Sequence, residues 1–286
     1  MAASQRTAAV PLKYTTPDTA PGSALESKGQ KSSAQAEEVS VCVIGGGVSG
    51  LTAAITAAEL MNHDSKIVLL EASPTLGGRV QSDTTDDGYT LDRGFAVFIE
   101  AYPVSKVVLD YDKLKLGKFL PGALIKTSGS TKLARVSDPL RRPQDIFGAL
   151  FAPVGSIVDK IRTVPLLAHV FRKSVDELFQ ESETDTLSCL KERWGFGPDI
   201  VDKFLKPFLE GIYLAPLQQQ SSRMFHFVFK MFSVGSACLP AGGMGAVAKQ
   251  LEENAAKAGV EIRVGKAVSS LRVEDGWMVV QTKEGV

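Results

Sequence analysis

The sequence predicts an α/β protein in which a parallel β-α-β unit is interrupted by a long, largely helical α+β insertion. Three observations predict it. A glycine-rich loop, Gly45-Gly46-Gly47-Val48-Ser49-Gly50, sits between a β-branched run and a small-residue helix. A second apolar run follows at residues 66–71. All fourteen phenylalanines fall between Phe95 and Phe232. A length of 286 residues suits about two domains. The expected organisation is a tail at 1–37, the first part of the α/β domain at 38–94, the inserted domain at 95–235, and a second, incomplete part of the α/β domain at 236–286.

Residues 1–37 are rich in Ser, Thr, Ala and Pro, and carry only Asp18 as an acid before Glu26. That composition reads as a disordered tail or as a transit peptide to a plastid or other organelle, with the cytoplasm as the destination otherwise. Val39, Val41, Val43 and Ile44 form a run that ends in glycines, the pattern of a buried parallel strand. Leu51, Ala53, Ala54, Ile55, Ala57, Ala58 and Leu60 then predict a helix over 51–61, stopped by the turn-forming Asn62-His63-Asp64-Ser65. Ile67, Val68, Leu69 and Leu70 predict a second buried strand over 66–71, which completes the β-α-β unit.

Within the insertion, helical periodicity is best over 157–171 and 221–234. In the latter, Arg223, His226 and Lys230 share one face while Phe225, Phe229 and Phe232 line another. Pro139 and Pro143, flanking Arg141-Arg142, mark a loop. Beyond Gly242-Gly243, a helix over 247–258 ends at Gly259, a natural C-terminal cap, and 260–264 reads as a strand. Residues 268–272 and 277–282 form a hairpin about Asp275-Gly276.

Composition excludes several functions. Lys+Arg and Asp+Glu number 32 each, so no net charge steers the chain to nucleic acid. Cys42, Cys189 and Cys238 lie far apart with no CxxC spacing, and His63, His169 and His226 form no HExxH pattern. No metal site is therefore expected. No run of 18 apolar residues occurs, so the chain is expected to be soluble or in peripheral contact with a membrane. No GxSxG elbow supports a serine hydrolase.

The loop matches GxGxxG through Gly45, Gly47 and Gly50, placed between strand and helix. The first glycine permits the tight turn, the second lets backbone approach a pyrophosphate, and the third lets helix and strand pack closely. The helix start adds free N–H donors and the positive end of the dipole. A Walker A loop fails because Leu51 and Thr52 stand where Lys and Ser/Thr are needed. Glu71 ends the second strand, 21 residues after Gly50. Its carboxylate suits both ribose hydroxyls of an adenosine and repels a 2′-phosphate, which favours FAD or NAD over NADP. The bland reading of Glu71 is a solvated strand-end acid. Leu76-Gly77-Gly78-Arg79 follows where a nicotinamide-binding unit would begin its next crossover helix. Two glycines before an arginine let the chain run close to a dinucleotide and aim a guanidinium at phosphate or carbonyl; alone, they would read as a turn with a surface arginine.

With these motifs in register, the sequence resembles the flavin-containing amine oxidase superfamily, in particular its phytoene-desaturase-like and protoporphyrinogen-oxidase-like branch. The resemblance is carried by residues 41–50, Leu69-Leu70-Glu71-Ala72, Leu76-Gly77-Gly78-Arg79, Leu91-Asp92-Arg93-Gly94, Pro207-Phe208-Leu209-Glu210-Gly211-Ile212-Tyr213 and Leu239-Pro240-Ala241-Gly242-Gly243-Met244-Gly245. It implies an FAD-binding Rossmann-like domain of the GR2 type with an inserted substrate domain. By the same resemblance, Gly45, Gly47, Val48, Ser49 and Gly50 meet the pyrophosphate, Glu71 and Ala72 the adenosine, Gly78 and Arg79 the FAD, and Val268 the adenine through its backbone. The family continues through a further substrate segment and a closing glycine motif that this chain lacks, so a truncated form is expected.

The implied reaction removes a hydride equivalent from an apolar or aromatic small molecule, a polyene, a porphyrinogen or a hydrophobic amine, with oxygen or a quinone as acceptor, or none in a net isomerisation. Two other readings stay open. An NAD-dependent dehydrogenase would continue in regular β-α alternation after Glu71, and a non-catalytic or degenerate FAD-fold protein would lack a reducible chromophore. The phenylalanines read better as the core of a helical domain than as the wall of a substrate site. His226 could serve as a base but reads better as a helix-face residue near its partner; Arg141-Arg142 could hold an anion but reads better as water-facing; Cys42 reads as a small core residue. No residue is assigned a catalytic role.

Overall fold

The structure, a computed structural model, describes residues 12–15, 36–94, 96–126, 131, 133–137, 141–142, 144 and 152–283. The chain divides into two compact units, one formed by 1–96, 108–114 and 240–286, the other by 97–107 and 115–239. The insertion thus begins two residues later and ends four residues later than the expected 95–235. It also returns a short segment, 108–114, to the first unit, where the Asp110 N–H donates to Gln250 Oε1 at 2.8 Å.

In the first unit, Val41–Ile44, the helix Val48–Leu60 and Ile67–Leu70 form the β-α-β unit, and Glu261–Arg263 pairs in parallel on the far side of Ile67–Leu70. All four residues of Ile67–Leu70 are buried, as a strand covered on both faces must be. The helices Val48–Leu60 and Gly245–Lys257 pack together, burying Leu51, Ala54, Leu251 and Ala255. The chain after Ile67–Leu70 enters an irregular loop and then the hairpin of Ser82–Thr84 with Thr90–Asp92, not a crossover helix.

Two expectations require correction. The tail at 1–37 contains Leu12–Thr15, a strand pairing in parallel with Trp277–Thr282 and antiparallel with Ala36–Val39. Four residues among Ser- and Pro-rich neighbours carry no periodicity of their own, and their partners are distant in sequence. The rest of 1–35 lies outside the described residues. The first strand is also two strands. At Ser40 the chain turns: the Ser40 and Val41 N–H groups both donate to the Lys66 carbonyl, at 2.8 and 3.2 Å. Ala36–Val39 thereby joins a four-stranded sheet with Leu12–Thr15 and the hairpin of Val268–Glu274 and Trp277–Thr282, while Val41–Ile44 joins the parallel sheet. That hairpin turns through Asp275 and Gly276, with φ of 50° and 80°, the left-handed pair of a two-residue turn.

In the second unit, Phe98–Ile99, Ala237–Leu239 and Gly117–Lys118 form a small antiparallel sheet, and Gly122–Lys126 pairs with Leu133–Ser137. The helix Ile157–Arg172 starts in a capping box, in which the Ser156 hydroxyl accepts from the Asp159 N–H and Asp159 accepts from the Ser156 N–H. The helix Ser222–Val234 is capped by the Ser221 hydroxyl. A core of Leu166, Val170, Leu190, Val201, Leu217 and Phe225 holds the helices together, with Phe204 and Phe229 against it. Phe196 and Phe225 are buried in that core, while Phe204 stacks at 5.6 Å on the exposed Phe208. Arg141 does not simply face water: its guanidinium donates to the Phe232 and Ser233 carbonyls at 2.9 and 2.7 Å, closing the end of Ser222–Val234.

Candidate functional site

The glycine loop is shaped by close approach. Gly45 has φ of 101°, a conformation that favours glycine. A Cβ at Gly50 would collide with the Gly45 carbonyl oxygen, so only glycine lets the helix start against the strand end. At Gly47 a Cβ would meet nothing within 4 Å. The helix begins there with no side-chain cap and no acidic residue in its first turn, so its N–H groups carry their positive end toward open space.

Glu71 backs this loop. Its Oε2 accepts from the Gly46 N–H at 2.5 Å, and its Oε1 accepts from the Ser73 N–H at 2.8 Å. Burial raises the Glu71 carboxyl, but the Ser73 and Gly46 N–H groups and the Ser73 hydroxyl outweigh it and hold the group below the ordinary glutamate value. Glu71 is therefore a carboxylate at neutral pH, tied to the loop it follows by 25 residues. Gly46, an unassigned position in the motif, matters here: a Cβ would stand 3.1 Å from Glu71 Cβ and run into Leu76. The glycine between the first two motif glycines is the local signal for it.

The loop after Glu71 lies alongside. Gly47 and Gly77 form a parallel bridge, the Gly77 N–H donates to the Gly46 carbonyl at 2.8 Å, and a Cβ on Gly78 would touch Gly47 Cα at 3.4 Å. Gly45, Gly47, Val48, Ser49, Gly50, Glu71, Ala72 and Gly78 are thus gathered in one place, with Arg79 next in the chain and exposed. Val268 belongs to the same neighbourhood through its strand: the Lys266 N–H donates to the Glu71 carbonyl at 2.8 Å, and the Gly265 N–H to the Ser73 carbonyl at 3.0 Å. The Val268 side chain packs against the cluster of Val39, Val68, Leu70 and Val280. A groove of about 780 Å³ also opens in this unit, lined in part by Leu76, Val80, Ser82, Arg93, Ala246 and Lys249. None of the ten residues singled out above lines it.

In the second unit, His226 is fully buried and is no surface residue of its helix. Its Nε2 accepts from the Trp194 indole N–H at 3.1 Å, and its Nδ1 lies 3.4 Å from Glu181 Oε2 without a hydrogen-bond partner among the described residues. Glu181 gathers the cluster, with Lys173 at 2.5 Å and His169 at 2.8 Å on Oε1 and Arg193 at 2.9 Å on Oε2. Burial, then the Lys173 and Arg193 contacts, act on this carboxyl in opposite directions, and the cations win, holding it down at about 2. Burial and Arg193 push His226 down to about 4. His169, Glu181 and His226 have the spacing of metal ligands, within 4.8 Å of one another. Two cations already occupy the carboxylate, however, so the cluster is built as a structural ion network. The polar face of Ser222–Val234 points inward because its partners come from far away: Arg223 donates to the Glu181 carbonyl and Lys230 to those of Val170 and Lys173.

A three-stranded parallel layer with a glycine turn, an uncapped helix start and an ionised acid tied to both defines an α/β protein with an anion-ready loop. Comparison with known proteins narrows the class. Residues 48–286 match the model of the family described as flavin containing amine oxidoreductase, and the chain belongs to that family, whose cofactor is FAD. It is 28% identical over 188 residues to coproporphyrinogen III oxidase of Bacillus subtilis (strain 168), covering 63% of this chain and 38% of that protein. It is 24% identical over 257 residues to carotenoid phi-ring synthase of Chlorobaculum tepidum, covering 85% of this chain and 39% of that protein. The chain therefore spans about two fifths of the length of these relatives. Its fold is similar to that of an oxidoreductase from Methanosarcina mazei, with a TM-score of 0.55 and 18% identity over 83% of this chain and 54% of the other.

Proposed function

We propose that the first unit is a Rossmann-like, GR2-type FAD site and that the chain is part of an FAD-dependent oxidoreductase acting on an apolar porphyrinogen- or carotenoid-like molecule. The observation that carries this reading is the link between Gly46 and Glu71, which places an ionised acceptor beside the uncapped start of Val48–Leu60. The residues present fit the group. The open space over Gly47 suits a diphosphate, the N–H groups of Val48, Ser49 and Gly50 would meet it, and Glu71 would accept from the ribose hydroxyls. Gly77 and Gly78 let a second stretch of backbone approach the same ligand, and Arg79 supplies a cation beside it.

When bound, FAD supplies an isoalloxazine able to take a hydride equivalent from a substrate C–H. The chain's residues bind and orient it; no residue is assigned a proton transfer. The substrate class rests on two relatives whose names give a porphyrinogen and a carotenoid, and on the apolar composition of the insertion. The turn from Glu71 into a glycine loop and hairpin argues against the alternation of an NAD-dependent dehydrogenase.

Titration with FAD, followed by flavin fluorescence, tests the reading. The wild-type chain is expected to bind, and Glu71→Gln to bind roughly 10- to 150-fold more weakly, as loss of charge-assisted hydrogen bonds worth about 1.5–3 kcal/mol requires. Equal affinity for the two would remove Glu71 from the site.

A further inference from the structure

A carboxylate has room for about four hydrogen bonds, two on each oxygen. In Glu71, the Gly46 N–H uses one position on Oε2 and the Ser73 N–H uses one on Oε1. The Ser73 hydroxyl stands between two acceptors, 2.8 Å from Glu71 Oε1 and 2.5 Å from the Thr75 carbonyl oxygen. It has one proton and so can donate to only one of them at a time. Directed at Glu71, it holds the carboxylate in place. Held so, Glu71 keeps Oε2 toward the glycine loop, where the Gly46 N–H meets it and a ribose hydroxyl would reach it.

We propose that Ser73 is a positioning residue for ribose recognition, its hydroxyl holding Glu71 Oε1 so that the carboxylate keeps the orientation in which a ribose diol meets it. The inference rests on the reading of Glu71 as the ribose acceptor. Its geometry is independent of the Ser73 backbone, which other contacts fix: the Gly265 N–H holds the Ser73 carbonyl, and the Lys266 N–H holds that of Glu71. Loss of the hydroxyl alone therefore leaves the turn and both backbone donors in place, and a Ser73→Ala variant isolates the hydroxyl's role.

The test uses calorimetric titration of the chain with ADP and with 2′,3′-dideoxy-ADP, which lacks the diol. Ser73→Ala is expected to weaken ADP binding roughly 3- to 10-fold, the effect of one hydrogen bond, and to leave dideoxy-ADP binding unchanged. Ser73→Thr is expected to restore ADP affinity, and Ser73→Ala to add nothing in a Glu71→Gln background. Unchanged ADP affinity in Ser73→Ala, or an equal loss for both nucleotides, would overturn the proposal. A Glu71→Gln variant that binds ADP like wild type would instead overturn the reading beneath it, so the two failures are told apart.

Discussion

Replacing Gly47 by serine should move stability and cofactor affinity in opposite directions. Gly47 is the N-cap of Val48–Leu60, with φ −75° and ψ 177°, extended backbone open to any residue, and a Cβ there meets nothing within 4 Å. Serine would cap the helix, worth a few tenths of a kcal/mol over glycine. Removing a glycine from the unfolded chain adds about 0.4–1 kcal/mol. Together these give about 1 kcal/mol, or a rise of about 2–4 °C in the unfolding midpoint of the cofactor-free chain. The same hydroxyl would occupy the N–H groups and the space assigned to the diphosphate. Loss of one charge-assisted bond, about 1.5–3 kcal/mol, weakens FAD binding roughly 10- to 150-fold. Thermal unfolding by circular dichroism and FAD titration by fluorescence read the two quantities separately. A stabilised Gly47→Ser variant that binds FAD as tightly as wild type would refute the placement of the diphosphate at this helix start.

Gly50→Ala should instead destabilise the fold, by about 1–3 kcal/mol or more, because its Cβ meets the rigid Gly45 carbonyl; a midpoint within 1 °C of wild type, about 0.3 kcal/mol, would contradict that packing. Stability should also fall on acidification. His226 is held at about 4 in the folded chain against an ordinary 6.5, so between those values the unfolded chain takes a proton that the folded chain refuses. The loss is about 3 kcal/mol across that window, and Glu181, held at about 2 against 4.5, extends it at lower pH. The charges facing His226 are Glu181, Arg193, Lys173 and His169. Urea unfolding at pH 7 and pH 4.5 measures this; equal midpoints would show that His226 is not confined neutral.

The sequence revealed those parts whose signal is local. The β-α-β unit could be read because three glycines, a β-branched run and a small-residue helix adjoin one another. The turn at Asp275-Gly276 and the cap at Gly259, with φ of 82°, could be read because each needs only two or three neighbours. Parts that depend on distant partners stayed hidden. Leu12–Thr15 becomes a strand through pairing with residues some 265 positions later. Ser40 splits the β-branched run of residues 39–44 because Lys66 sits opposite it. His226, Arg223 and Lys230 turn inward because Glu181 and the carbonyls of Val170 and Lys173 meet them. At the candidate site, the motif pointed to the glycines and the acid. Gly46 and Ser73, which orient that acid, fill positions the motif leaves free. A hydroxyl two residues after a carboxylate was the local trace of Ser73.

A crystal structure of the chain soaked with ADP would test the central claim most directly. The account predicts the diphosphate over Gly47 at the start of Val48–Leu60 and the ribose within hydrogen-bond distance of the Glu71 carboxylate. A nucleotide seated in the groove between Leu76 and Lys249, with Glu71 untouched, would contradict it.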